Sequence, residues 1–188
     1  DIVTKVYPVL LPLKGYKRTG YLKRTPQYSF MCCSLCENLK MLNEINKLSE
    51  NEYKDFINNP EYTLSPSACF HVYEEHKDKI LKKNAIITFT QSVFRNEGRF
   101  NFAEFGRMRD YHVREIVFIG DSEFVNESRC KVIDFTKKLI EYVGLRAKII
   151  SASDPFIIPR MQKYKKLQVM EKSKYELRVA YSEQEEMS

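Results

Sequence analysis

The amino-acid sequence predicts an α+β fold, in which antiparallel strands pack against helices. Two runs rich in β-branched and aromatic residues are separated by a glycine-flanked loop, and a long amphipathic helix follows them. The strand and helix segments do not alternate regularly, which argues against a doubly wound parallel sheet. The chain has 188 residues, enough for one domain with a sizeable core and too few for two ordinary ones. We therefore expect residues 1–188 to form a single domain.

The first half of the chain is predicted to contain two helices. Apolar residues at helical spacing between Leu35 and Leu48 predict an amphipathic helix. The Asn58-Asn59-Pro60 segment breaks the structure that follows it. Ser65 or Ser67 is a candidate N-cap for a second helix, which is expected to continue to Leu81.

The middle of the chain predicts a β-hairpin. Ala85 to Glu97 and Arg109 to Ile119 read as strands, and residues 98–106 between them as a mobile hairpin loop. Arg95 and Glu97 are two residues apart, so in an extended strand they would project from the same face. An arginine and a carboxylate on one sheet face suit a ligand that offers a phosphate and an amine.

The longest predicted helix runs from Ser122 to Val143. Asp121 is a good N-cap and Gly144 a plausible residue for ending the helix. Its apolar positions at helical spacing are expected to face the core; they are Val125, Val132, Phe135, Leu139 and Val143. Cys130 on the same helix is expected to pack in the core.

The last third of the chain is predicted to form two strands around a loop. Arg146 to Ile150 and Tyr175 to Tyr181 have strand character, and Pro155 and Pro159 bracket a loop between them. A group of lysines also lies here, either as a contact patch or as a solvated helix face or loop; it comprises Lys163, Lys165, Lys166, Lys172 and Lys174.

Composition limits the partners and the cellular setting. A net charge of +6 favours an acidic partner, such as a nucleotide, an RNA or an acidic protein. No segment approaches the roughly 20 apolar residues of a membrane helix, and the start is not a signal peptide, so a cytoplasmic location is expected by default. The odd number of cysteines argues against a disulfide scaffold. Cys33 and Cys36, beside Cys32, are expected to be buried or incidental.

Phe94-Arg95-Asn96-Glu97 and its returning strand resemble motif 2 of the class II aminoacyl-tRNA synthetases. More narrowly, the chain is similar to the zinc-dependent seryl-tRNA synthetases and to their truncated relatives, the amino acid:carrier protein ligases. Further segments carry this resemblance in the right order: Tyr7 to Pro12 (the end of motif 1), Gly20 to Gln27, Leu64 to His71, Ser153 to Phe156 and Lys174 to Leu177. The resemblance implies an antiparallel class II synthetase-like sheet flanked by helices.

The resemblance also implies roles for four residues in binding ATP. Arg95 would hold the α-phosphate and act as the catalytic residue, and Arg107 would add a phosphate contact. Glu97 would accept a hydrogen bond from the adenine amine, and Tyr111 would stack on adenine. Mg²⁺ is expected with the nucleotide. The alternative is an ordinary surface Arg–Glu pair on a hairpin, which contributes little.

A metal site is implied at Cys69 and Glu115, whose side chains are both zinc ligands. In the family the zinc takes the amino group of the substrate. Without the resemblance, Cys69 reads as a small buried residue and Glu115 as half of an ion pair. A third ligand, another Cys, is expected shortly after the Lys174–Tyr181 strand, and neither it nor motif 3 occurs in the chain. The chain is therefore expected to be either a fragment or a degenerate relative.

The function that the resemblance implies is ATP-dependent activation of a small amino acid as an aminoacyl-adenylate, followed by transfer to the phosphopantetheine arm of an acidic carrier protein. One alternative is the catalytic domain of a zinc-dependent seryl-tRNA synthetase, with tRNA as acceptor. Another is a non-catalytic paralogue that acts as a binding subunit. A homodimer through motif 1 is expected in each case, with no membrane contact. His71 and His76 are expected to be ordinary helix residues, and none of the three histidines, His112 included, is expected to form a triad with a Ser or Cys.

Overall fold

The computed structural model describes residues 2–97, 107–180 and 186–187. The helices are α1 (Leu13–Arg18), α2 (Tyr21–Arg24), α3 (Leu39–Glu44), α4 (Phe70–His76), α5 (Ser122–Val143) and α6 (Lys163–Met170). The strands are β1 (Ile2–Thr4), β2 (Leu10–Pro12), β3 (Phe30–Cys32), β4 (Tyr62–Leu64), β5 (Ala85–Phe94), β6 (Asp110–Ile119), β7 (Ala147–Ser151), β8 (Tyr175–Ala180) and β9 (Glu186–Met187). Short 3-10 turns cover Pro26–Tyr28, Ile45–Lys47, Glu50–Phe56 and Pro159–Met161. The predicted α+β class, with antiparallel sheets flanked by helices, is confirmed.

The β5–β6 hairpin is the centre of the fold. The two strands pair antiparallel from Ala85 with Ile119 to Phe94 with Asp110. Strand β1 runs parallel to β5, so this sheet is mixed. The predicted loop at residues 98–106 lies outside the described residues. The remaining described strands form two further sheets, in the orders β2-β4-β3 and β7-β8-β9.

Helix α4 covers one face of the hairpin. Ile87, Phe89 and Val93 project from this face of β5 and are almost fully buried against Ala68 and Val72. Alternate residues of a strand point to the same side, so the apolar residues at every second position of β5 can enter this core. The N-terminal end of α4 is thereby held close to the open end of the hairpin.

Helix α5 has the predicted bounds and caps. The Asp121 carboxylate accepts a hydrogen bond from the Phe124 amide at 2.8 Å, and Gly144 ends the helix with φ of 66°. The predicted core stripe is wrong, because Val125, Val132, Phe135, Leu139 and Val143 are all exposed, Phe135 to 66%.

The burial of α5 explains that difference. The helix approaches the sheet through Phe124, whose ring packs on Phe118, and through the buried Ser128. Within the described chain nothing covers the C-terminal half of the stripe. Cys130 is exposed as well, so its predicted core position is also wrong.

Both predicted helices of the first half are shorter than expected. Leu35 forms a β-bridge with Ile57 in place of a helical turn, and α3 covers only Leu39–Glu44. Helix α4 ends at His76, because Asp78 has a φ of 56°, outside the helical region. Neither serine caps α4, since its N-cap residue is Cys69, which makes no side-chain cap bond.

The elements after α5 match the expected strands closely. Strands β7 and β8 pair antiparallel, from Ala147 with Val179 to Ser151 with Tyr175. Between them lies α6, which carries Lys163, Lys165 and Lys166 of the predicted lysine group, whereas Lys172 and Lys174 follow the helix. No helix within the described ranges is long and apolar enough to cross a membrane.

Candidate active site

A cavity of about 770 Å³ opens at the end of the β5–β6 hairpin. Helix α2, the start of α4 and the β7–β8 sheet complete its walls. It gathers residues that are far apart in sequence, and these include five of the predicted site residues: Cys69, Arg95, Glu97, Arg107 and Tyr111. Glu115, the sixth, lies beside Cys69 and is not part of the lining.

Arg95 is fixed at the point where the hairpin opens. Its amide donates to the carbonyl of Arg109 at 2.8 Å, which extends the β5–β6 pairing by one step. Its Nε donates to the Pro66 carbonyl at 2.9 Å, and its Cζ lies 5.9 Å from the centre of the Tyr111 ring. The backbone and one guanidinium nitrogen therefore set the direction of the side chain.

Glu97 reaches the cavity through a tight turn. Strand β5 ends at Phe94, and the Glu97 amide donates to the Arg95 carbonyl at 2.7 Å. The Asn96 amide donates to the Tyr28 carbonyl at 3.1 Å, which anchors the turn. The prediction that Arg95 and Glu97 share a face of an extended strand is therefore wrong, although both line the cavity. Glu97 is only 2% exposed, so its carboxylate lies at the bottom of the site.

The returning strand supplies the aromatic wall. Tyr111 pairs with Val93 across the hairpin and packs its ring against the core beneath β5. Arg107 lies three residues before the start of β6 at Asp110 and also lines the cavity. A cationic side chain and an aromatic ring thus face the same space as Arg95 and Glu97.

Cys69 and Glu115 meet beside the cavity. The Cys69 amide donates to the Glu115 carboxylate, and the Cys69 thiol lies 3.2 Å from the Ser67 hydroxyl. Burial raises the pKa of the Cys69 thiol, and the charge of Glu115 raises it further. Burial also raises the pKa of Glu115, against the opposing effect of Arg95. The ionised forms of these two neighbouring acidic groups are disfavoured, and a bound cation would stabilise them.

The donor types fit zinc, which takes thiolate and carboxylate ligands. Within residues 2–97 and 107–180, however, no group of three or more His, Cys, Asp or Glu side chains is arranged to hold a metal ion. The described donors therefore supply Cys69 and Glu115 as a pair.

The opposite wall carries an ionic network that was not predicted. The Lys174 ammonium bridges Asp154 at 3.1 Å and Glu176 at 2.8 Å. Gln168 holds Asp154 from behind, accepting from its amide at 2.8 Å and donating to its carboxylate at 2.9 Å. Asp154, Lys174 and Glu176 line the cavity together with Arg178.

The charges of this network support each other. Burial alone would raise the pKa of Asp154, but Gln168 and Lys174 outweigh it and the pKa is lowered. Burial lowers the pKa of Lys174, but Glu176 and Asp154 outweigh that effect and raise it. The sequence had marked Asp154 through the resemblance, Lys174 also as part of a lysine group, and Glu176 also as part of a strand, but it did not predict that they meet. Local spacing in the sequence cannot predict the contact between Asp154 and Lys174, which are 20 positions apart.

The histidines lie away from the cavity lining. His71 and His76 are in α4 as expected, and His112 is on β6, the predicted returning strand, where its ring lies 3.1 Å from the Ser92 hydroxyl. His71 is only 5% exposed and stacks on Tyr7 at 5.7 Å. Burial lowers the pKa of His71.

The sequence has relatives among two kinds of ligase. It is 24% identical over 185 residues to a type-2 serine–tRNA ligase of Methanocaldococcus jannaschii, a match that covers 93% of this chain and 35% of the relative. It is 23% identical over 154 residues to amino acid–acyl-carrier-protein ligase 1 of Bradyrhizobium diazoefficiens, covering 80% of this chain and 46% of the relative. The chain thus spans less than half the length of either relative. No family model matches it.

Solved structures of aminoacyl-tRNA synthetases have a similar fold. The SerRS of M. kandleri, in a complex with A. aeolicus tRNASec, superposes with a TM-score of 0.81 at 20% identity, over 99% of this chain and 39% of that one. The RNA binding domain of threonyl-tRNA synthetase from Cryptosporidium parvum gives 0.57 at 11% identity, over 100% and 47%. The homologues of this chain are therefore type-2 seryl-tRNA synthetases and amino acid–acyl-carrier-protein ligases, and its fold is class II synthetase-like.

Proposed function

We propose that this chain acts as one catalytic domain that activates a small amino acid with ATP. The amino-acid carboxylate attacks the α-phosphorus of ATP, the bond to the β-phosphate oxygen breaks, and pyrophosphate leaves. The observation that carries this proposal is the convergence of Arg95, Glu97, Arg107 and Tyr111 on one cavity. The relatives support the same chemistry, since both kinds are ligases named for an amino acid.

Arg95 is the proposed catalytic residue. The reaction brings a carboxylate and a phosphate together, so the site must offset two negative charges and the charge that develops on phosphorus. A guanidinium can pair with two oxygens at once, and Arg95 is already oriented by Pro66 and Tyr111. Arg107 would bind the phosphates from the other side of the opening, with Mg²⁺ offsetting the rest of their charge.

Glu97 and Tyr111 are proposed to bind the adenine. A carboxylate accepts hydrogen bonds and does not donate them when ionised, so Glu97 suits the exocyclic amine of adenine and disfavours a carbonyl at that position. The ring of Tyr111 offers a face for stacking. Because Glu97 is buried, a base that placed a carbonyl oxygen against its carboxylate would be disfavoured by the repulsion between two acceptors.

Cys69 and Glu115 are the residues that would hold a zinc ion. When bound there, zinc would supply a Lewis-acid position for the amino group of the substrate. The chain's own contribution is the orientation of the pair, since the Cys69 amide fixes the Glu115 carboxylate and Ser67 contacts the thiol.

The proposed acceptor is the phosphopantetheine thiol of an acidic carrier protein. Its sulfur attacks the carbonyl carbon of the adenylate, the bond to the phosphate oxygen breaks and AMP leaves, while the thiol proton passes to solvent. The relative that acts with an acyl carrier protein supports this choice. The second candidate is tRNA, which the match to serine–tRNA ligases favours. A homodimer is proposed for either case.

Amino-acid-dependent exchange of pyrophosphate into ATP tests the activation step. Exchange is expected with glycine, alanine or serine, and its absence with all of them would leave a non-catalytic binding subunit as the better description. Charging of a phosphopantetheinylated carrier protein against charging of tRNA then separates the two acceptors.

A further inference from the structure

Helix α6 supports the cavity wall with one of its faces. The Tyr164 ring packs 6.1 Å from that of Phe156, and Gln168 makes two hydrogen bonds to Asp154. Phe156 and Asp154 both line the cavity. The inner face of α6 is thus one layer behind the proposed reaction site.

The other face of α6 is exposed and partly apolar. Lys163, Lys166, Leu167 and Met170 are spaced so that they share one side of a helix. Met170 is 78% exposed and Leu167 43%. An ordinary surface helix turns its apolar side chains toward the core, whereas α6 also carries Leu167 and Met170 on its outward face. An apolar group that a helix turns outward is typical of a binding surface.

All the charged side chains on and beside this face are basic. Residues 157–170 include Arg160, Lys163, Lys165 and Lys166 and contain no acidic residue. Arg160, Lys163 and Lys166 are exposed, and within the described part of the chain none of them has an acidic side chain as an ion-pair partner. Other lysines of this chain, such as Lys131 and Lys137 on α5, do pair with a neighbouring carboxylate. The cations of α6 therefore remain available for charges on another molecule.

We infer that the outward face of α6, together with Arg160, is the surface on which the acidic carrier protein docks. This inference rests on the proposed function and adds where the acceptor binds. The basic residues would meet acidic side chains of the carrier, and Leu167 with Met170 would meet an apolar patch among them. The carrier is favoured over RNA because a phosphate backbone would use the lysines and leave the apolar side chains unmatched.

The position of α6 suits delivery of a thiol on a flexible arm. A helix with its side chains is about 10 Å across, so the docking face and the cavity lie on opposite sides of one helix. The arm would pass around α6 while the carrier stays outside. Binding of this kind is expected to be weak and sensitive to salt, as charge-steered transient contacts are.

Charge reversal tests the docking surface. The full chain is titrated with a purified phosphopantetheinylated carrier protein by fluorescence anisotropy at low salt. Lys163→Glu with Lys166→Glu is expected to weaken binding by about tenfold or more, because like charges would then face each other. The matched control is Lys131→Glu with Lys138→Glu on α5, which changes the net charge equally and should alter the affinity less than about twofold. Leu167→Ser with Met170→Ser should weaken binding at both low and high salt.

Each outcome decides the inference. Equal affinities for the α6 variants and the α5 control would overturn it, as would wild-type protein that does not bind the carrier. Loss of tRNA binding in the α6 charge variant, with no effect of Leu167→Ser and Met170→Ser on the carrier, would assign the face to RNA instead. Pyrophosphate exchange needs no carrier and should persist in every α6 variant. Absent exchange with intact carrier binding would therefore count against the activation step alone.

Discussion

The guanidinium of Arg95 lies 5.9 Å from the centre of the Tyr111 ring, across the open end of the β5–β6 hairpin. Tyr111 pairs with Val93, so the ring comes from the register position two residues before Arg95. A cation over an aromatic face contributes about 0.5–1 kcal/mol at a partly exposed site. The contact also joins the proposed phosphate-binding group to the proposed adenine-stacking group, so that each helps to orient the other.

Replacement of Arg95 should remove activation while leaving the fold intact. We expect Arg95→Lys to lower kcat/KM for pyrophosphate exchange by about a hundredfold, since an ammonium cannot reproduce the two-point pairing of a guanidinium. The matched control is Arg114→Lys on β6, where the arginine is exposed and donates to the Thr88 hydroxyl at 3.0 Å. Equal activities in the two variants would show that Arg95 has no catalytic role.

Glu97 should determine the choice of purine. In Glu97→Gln the buried side chain keeps its shape and gains a donor, so a carbonyl at the position of the adenine amine becomes tolerable. We expect KM for ATP to rise by about tenfold and the preference for ATP over GTP to fall, with KM for the amino acid little changed. Steady-state exchange with both nucleotides measures this. Glu141→Gln, an exposed position on α5, should keep the wild-type preference.

Zinc should bind through Cys69 and Glu115. Protein loaded with zinc and freed of excess metal is expected to retain it, whereas Cys69→Ala and Glu115→Gln should each reduce affinity by about tenfold or more. Metal analysis combined with chelator competition gives the affinity without any need for activity. Cys33→Ser alters an exposed thiol elsewhere and should have no effect. Zinc retention that is equal in all three variants would place the metal at another site.

Stability should fall as the pH drops below about 6.5 because His71 is buried. Burial lowers the pKa of His71 in the folded state, so the unfolded chain binds the proton first. The stabilisation is complete above the unfolded pKa of 6.5 and is lost as the pH falls through the folded value. Urea unfolding between pH 7.5 and 5 should show this loss, and His71→Phe should remove it while keeping an aromatic ring against Tyr7. An unchanged slope in His71→Phe would contradict the assignment, and His112→Asn, an exposed control, should retain the slope.

Gly144 should matter for its backbone conformation and not for space. Its φ is 66°, and no atom lies within 4 Å of the position a Cβ would occupy. Gly144→Ala is therefore expected to destabilise the fold by about 1 kcal/mol through strain alone. Asparagine tolerates this conformation better, so Gly144→Asn should cost less. Urea unfolding of both variants checks the order, which would be reversed or lost if side-chain contacts dominated.

Local signals in the sequence predicted much of the fold. The hairpin followed from dense β-branched and aromatic residues, and the bounds of α5 followed from Asp121 and Gly144. The site residues followed from a motif that resembles a known family, and the cavity gathers Cys69 and Arg95 from segments far apart in the chain. The roles of these residues remain predictions.

Local signals failed where the outcome depends on the path of the chain. Asp78 ends α4 early, and the apolar stripe of α5 predicted burial that the described chain does not provide. Apolar spacing shows which face of a helix would be buried, but only the positions of other elements decide whether it is.

The sequence by itself determined the class of fold, the hairpin and helix α5, because caps, turns and strand propensities act between residues only a few positions apart. Tertiary structure alone decided the turn that brings Glu97 beside Arg95, the meeting of Cys69 with Glu115, and the ionic wall centred on Lys174. These contacts join residues from separate elements, and their energies depend on burial and distance. Neither quantity exists until the chain has folded.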